Sequence, residues 1–231
     1  MAQPGAPPPG IKPKVAFQDS NCTTTAACCR LPNSVFWASI GFVPALEHAA
    51  SISVEDYLAG ELRSEIRHEY SGGMLYAMAG TSSEHNIICQ NLLIALRSHV
   101  RGKPCRVFME SVKLRLRTAN EDIFYYPDLI VTCDPRDTES YFKTSPKVLI
   151  EVLSPETERI DRHEKFSNDT QIESLAEYIL VAQDKTEVTV FRRAKNWHPE
   201  VANQPRQQLG IESLDFTLSL SAIYDSALPA N

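Results

Sequence analysis

Two carboxylates stand in stretches of the chain that are otherwise apolar: Asp128 in FYYPDLIVTCD (residues 124–134) and Glu151 in PKVLIEVLSP (residues 146–155). Runs of Tyr, Leu, Ile and Val of this length read as buried strands. A charge there needs a partner, because burying an unpaired carboxylate costs several kcal/mol or forces it to take up a proton. Two of them on neighbouring strands suggest a shared cation. Lys165, in TERIDRHEKF (residues 157–166), follows on a predicted helix and supplies a third, positive group. Carboxylate oxygens hold a hard cation such as Mg²⁺, and an ammonium beside it helps to orient or deprotonate the attacking water. The trio is suited to metal-assisted hydrolysis. Residue by residue there are plainer readings: Asp128 after Pro127 as a strand-edge residue, Lys165 as a surface lysine. Glu151, flanked by Val148, Leu149, Ile150, Val152 and Leu153, is the hardest to read as structural.

The elements that must position these groups begin at Ser53. With Glu55 and Asp56 it caps a short helix reaching about Leu62. In HEYSGGMLYAM (residues 68–78), Gly72 and Gly73 supply the turn of a hairpin. Ser83 opens a long amphipathic helix to about Arg101, ended by Gly102, with His85 and Asn86 in its first turn. Residues 106–117 hold one or two strands. In the second part Val112, Leu114 and Leu116 alternate with Lys113, Arg115 and Arg117, which predicts a half-exposed strand with one basic face. Strands at 126–132 and 148–153 follow, then a helix over 156–172. EYILVAQ and EVTVFRR form two more strands around Asp184 and Lys185, and Ser221 to Tyr224 closes the domain.

The chain has 231 residues, 43% of them hydrophobic, enough for one domain with a core plus an appendage. No uncharged apolar run of roughly 18 residues is present, so a membrane-spanning helix is not expected. A net charge of −6 argues against a protein that coats nucleic acid by bulk electrostatics. The charge is nevertheless uneven. Residues 97–117 contain seven Lys or Arg against one Glu, whereas in residues 118–190 acids outnumber bases by 16 to 7. The basic residues Arg97, Arg101, Lys103, Arg106, Lys113, Arg115 and Arg117 are the candidates to face a phosphate backbone along the route to the acidic cleft. A solvated face with no ligand is the competing reading. The six cysteines form no CxxC pair. Cys89, Cys105 and Cys133 read as small core residues, which favours a reducing, cytoplasmic setting. Residues 1–50, with the Pro-rich start MAQPGAPPPG and a broken apolar run, are expected to be a disordered or poorly packed extension of a domain spanning 51–226.

The segments SVEDYL, RHEYSGGMLYAMAG, SSEHN, YYPDLIVTCDP, LIEVLSPETERIDRHEKF and SLAEYILV together resemble the Uma2 family, also called the DUF820 group, of the PD-(D/E)XK restriction-endonuclease-like superfamily. The resemblance covers about three quarters of the chain. It implies an α/β fold with a restriction-endonuclease-like αβββαβ core, a mixed sheet flanked by helices. It also implies Mg²⁺ (or Mn²⁺) held by Asp128 and Glu151, and DNA as the substrate. Leu153 occupies the place of the motif's lysine, and the resemblance puts that lysine at Lys165 on the next helix. Asp169 stands where the family usually has Tyr. The resemblance further suggests that Glu69 and His85 approach the metal from the N-terminal helices. The expected activity is endonucleolytic hydrolysis of DNA. The alternatives are a non-cleaving DNA-binding or regulatory module and an inactive, mobile-element-associated remnant. Expected partners are DNA and a second copy of the chain, with no membrane.

Overall fold

The computed structural model describes residues 51–119, 121–154 and 161–228. The expected N-terminal extension (1–50) and residues 156–160 of the expected helix lie outside them. Ser53 accepts the amide of Asp56 and starts α1 (Val54–Glu61), which buries Tyr57. Strands β1 (His68–Ser71) and β2 (Met74–Ala77) form the expected hairpin. Its turn residues Gly72 and Gly73 have φ of +55° and +93°, a region that a Cβ disfavours. Ser82 caps α2 (Ser83–Val100), which buries Ile88, Cys89, Leu92, Leu96 and Val100 on one face.

Six strands follow: β3 (Arg106–Met109), β4 (Lys113–Arg117), β5 (Asp122–Tyr125), β6 (Leu129–Thr132), β7 (Phe142–Lys143) and β8 (Pro146–Leu153). A π-helical turn (Asp161–Lys165) runs into a short α-helix (Phe166–Asp169). Then come β9 (Glu177–Ala182), β10 (Val188–Arg192), β11 (Pro199–Ala202), β12 (Gln208–Ile211) and β13 (Phe216–Ser219). The main sheet has the order β11-β10-β9-β8-β6-β3, with β8 and β9 parallel and the other pairs antiparallel. A second, five-stranded sheet has the order β2-β1-β5-β4-β7. The mixed α/β architecture expected from the sequence is therefore present. No helix among the described residues is long and apolar enough to cross a membrane.

Strand β8 is buried on both faces, as a central strand between layers must be. Val148, Ile150 and Val152 pack with α2, while Leu149 and Leu153 join Ile130, Leu175, Tyr178 and Leu180 on the opposite face. Glu151 falls by alternation on that second face.

One expectation needs correction. Residues 126–132 do not form a single strand, because Tyr126, Pro127 and Asp128 separate β5 from β6, and these belong to different sheets. Pro127 lacks the N–H that a continuous ladder requires. The neighbouring chain switches sheets at the same level, between β3 and β4. Between the pairs Met109↔Leu129 and Leu114↔Tyr125 lie four residues on one strand and three on the other, the one-residue excess of a β-bulge. Glu110 turns this corner at φ +44°, and its amide donates to the carbonyl of Asp128 at 3.3 Å.

The cysteines also correct the sequence reading. Cys105 and Cys133 are not separate core residues but form a disulfide. Register explains it: Arg106 faces Thr132, so these cysteines are the next cross-strand pair. A disulfide is no mark of a reducing compartment, so the cysteines do not support that expected setting. Cys89 is a buried free thiol.

Candidate active site

The corner where both strands change sheets brings the sequence-expected residues together. Asp128, just before β6, and Glu151, on β8, are each tied to the other's backbone segment. Val152 N donates to Asp128 Oδ2 at 2.7 Å, and Asp128 N donates to Glu151 Oε2 at 3.3 Å. Two carboxylates thus sit side by side because each is fixed by the other's segment. Glu151 is 3% exposed. Lys165, from the π-helical turn, places Nζ 3.7 Å from Glu151 Oε1 and 3.0 Å from Glu69 Oε1, with the Tyr125 ring centroid 5.3 Å away. Lys165, the lysine expected in place of Leu153, is itself buried beside these two acids.

Both auxiliary residues join this group, although Glu69 comes from strand β1 rather than from a helix. Its Oε1 also accepts from Tyr126 N at 3.1 Å. His85, in the first turn of α2, places Nε2 3.3 Å from Asp128 Oδ2. Burial opposes the charged imidazole, but the hydrogen bond and charge of Asp128 outweigh it and raise the His85 pKa. Cys89 Sγ lies 3.6 Å from His85 Nδ1, so His85, Cys89 and Asp128 form a compact ligand-like cluster. Burial, reinforced by the nearby carboxylates, pushes the Cys89 thiol up, and a thiol is a soft donor that a hard cation such as Mg²⁺ does not prefer. The donors suited to a cation are therefore the hard carboxylate oxygens of Asp128 and Glu151, with Glu69 close by. The paired carboxylates of Asp128 and Glu151 offer hard oxygen donors, with Glu69 balancing Lys165, and that donor chemistry fits Mg²⁺ or Mn²⁺.

The basic residues behave differently. Arg97 and Arg101 lie about 18 and 24 Å along α2 from His85 at 1.5 Å per residue. Arg106 faces Thr132, four residues beyond Asp128. Lys103 sits at this same far end, its Nζ 2.8 Å from His99 Nε2. Lys113, expected on an exposed basic face, is 4% exposed with Nζ 5.9 Å from the Tyr57 ring centroid and 5.3 Å from that of Tyr126. Burial lowers its pKa. Helix α1, by laying Tyr57 over β4, overrides the alternation. Arg115 and Arg117 both donate to Asp122 Oδ1 at 2.9 Å. These seven residues thus do not form one surface leading to the carboxylates.

The approach to Asp128 is a cleft of about 380 Å³ whose lining includes Arg67, Met78, Thr81, Glu110 and Tyr126. Sequence reasoning passed over Arg67 and Glu110. The signal for Glu110 was present, an acid interrupting the apolar run VFMESV.

Residues 54–222 match the family model Uma2, described as "Putative restriction endonuclease". Two uncharacterized proteins of Synechocystis sp. are similar. The protein slr1290 is 33% identical over 175 residues, covering 75% of this chain and 91% of its own length. The protein sll1609 is 28% identical over 135 residues, covering 57% and 75%. The crystal structure of a "putative nuclease belonging to DUF820" from Anabaena variabilis superposes with a TM-score of 0.60 at 19% identity, covering 71% of this chain and 93% of that one. At that identity it speaks to the fold.

Proposed function

The chain belongs to the Uma2 family, and from that premise we propose that it is a metal-dependent endonuclease that hydrolyses phosphodiester bonds of DNA. The observation that carries the reading is the convergence of Asp128, Glu151, Glu69 and Lys165 at the corner between two sheets. Asp128 and Glu151 would hold Mg²⁺ or Mn²⁺, which when bound neutralises phosphate charge and lowers the pKa of water. Lys165 brings a positive charge to the same point, where it assists the water or the charge that develops on the phosphate. Glu69 holds the ammonium in place. His85 orients the Asp128 carboxylate through its Nε2.

Calorimetric titration of MgCl₂ and MnCl₂ tests the metal half of this reading. Saturable binding is expected for the wild-type chain, weakened at least about tenfold in Glu151→Gln, the loss of one charged ligand. Heats that are equally absent from wild type and Glu151→Gln would leave a non-cleaving module as the better reading.

A further inference from the structure

A cleft with Asp128 and Glu110 in its walls repels a polyanion unless a cation meets it at the mouth. The basic residues singled out by sequence do not fill that place, since four lie at the far end of α2 and three are buried or held by Asp122. Arg67 does line the cleft. Its carbonyl accepts from Met78 N at 2.9 Å, which prolongs the β1–β2 ladder and fixes the backbone. Strand alternation then sends its side chain to the same face as Glu69, two residues on. The side chain is 47% exposed and held loosely, with NH1 3.3 Å from the Glu110 carbonyl and 4.0 Å from Glu110 Oε2.

Glu110 is itself held by backbone rather than by choice of rotamer. It occupies the positive-φ position of the bulge, and its amide is tied to the carbonyl of Asp128. A non-glycine residue there is strained and calls for a reason. Its placement keeps one carboxylate near Arg67 in the resting protein. An arriving phosphate offers the guanidinium a better, bidentate partner. Gly80, also in the cleft lining, carries no side chain, and a Cβ built there would meet nothing within 4 Å.

We infer that Arg67 is the phosphate anchor of this cleft: it exchanges Glu110 for a phosphodiester of the DNA strand whose neighbouring bond lies over Asp128 and Glu151. The inference rests on the nuclease reading and adds the residue that receives the substrate. It is tested by fluorescence anisotropy of a labelled 20-base-pair duplex against NaCl, using the full chain with Ca²⁺. Arg67→Ala should weaken binding by about tenfold or more, the equivalent of one charge-assisted hydrogen bond. It should also reduce the slope of log K against log salt by about 0.9. Arg67→Lys should restore the slope but not the full affinity, because an ammonium cannot bind phosphate bidentately. Arg101→Ala, at the far end of α2, should change affinity less than about twofold. Mn²⁺ binding by calorimetry should be unchanged in Arg67→Ala, which separates substrate capture from the metal site. Wild-type binding that Arg67→Ala reproduces in affinity and slope overturns the inference alone. A wild-type chain that binds no duplex overturns the proposed function, and the inference with it.

Discussion

Removing the Cys105–Cys133 disulfide should destabilise the domain without touching the carboxylates. The two cysteines are 28 residues apart, so the chain-entropy relation gives about 3.5 kcal/mol of stabilisation at 25 °C. For a domain of this size, each kcal/mol moves the melting temperature by roughly 2 to 4 °C. Cys105→Ser, or wild type in reductant, should therefore melt about 7 to 14 °C lower. Circular dichroism in thermal scans with and without reductant reads this directly, with Cys105→Ser expected to be insensitive to reductant. The bridge closes the end of the β3–β6 pair remote from Asp128, at the Arg106↔Thr132 end of the register. Metal affinity at a temperature where both forms are folded should accordingly be unchanged. Identical melting of wild type with and without reductant, and of Cys105→Ser, would refute the argument that this cross-strand link restrains the unfolded chain.

Other perturbations probe the buried charges. Lys165→Met leaves Glu69 and Glu151 without the ammonium between them and should cost about 3 kcal/mol or more in chelator, measured by urea unfolding. Saturating Mn²⁺ should recover part of that loss; no recovery would argue against a cation site at these acids. Lys113 has a folded pKa lowered by burial, so the unfolded chain binds its proton more tightly. Stability from this group should rise as pH climbs from the folded value towards the unfolded value near 10.4, and Lys113→Met should flatten that rise. Denaturant midpoints measured between about pH 8 and 10 decide it.

Much of this arrangement was legible from residue types. Glu151 could be recognised because five apolar neighbours make an unpartnered charge implausible, and the hairpin because Gly72 and Gly73 can take the positive φ that its turn requires. Lys165 needed the vacancy at Leu153 together with the family resemblance. What local pattern could not show was where the strands change sheets. Pro127 hinted at it, but the bulge at Glu110 appears only when both registers are known. Period two in residues 112–117 fits either face equally well, and it took Tyr57 of α1 to bury Lys113. The disulfide was hidden for the same reason. Its cysteines have no motif spacing and meet through strand register alone. Arg67 was overlooked because a lone arginine before a hairpin carries no local signature. Its meaning comes from a cleft assembled by four separate segments.

Cleavage of supercoiled plasmid tests the central claim most directly. The wild-type chain should convert plasmid to nicked or linear DNA with Mg²⁺ or Mn²⁺ and leave it intact in EDTA. Asp128→Asn, Glu151→Gln and Lys165→Met, each verified as folded, should lose at least about a hundredfold in rate, some 2.7 kcal/mol of transition-state stabilisation. A wild-type preparation that binds metal yet never cuts, or cleavage that survives unchanged in Glu151→Gln, would contradict the assignment of these residues to phosphodiester hydrolysis.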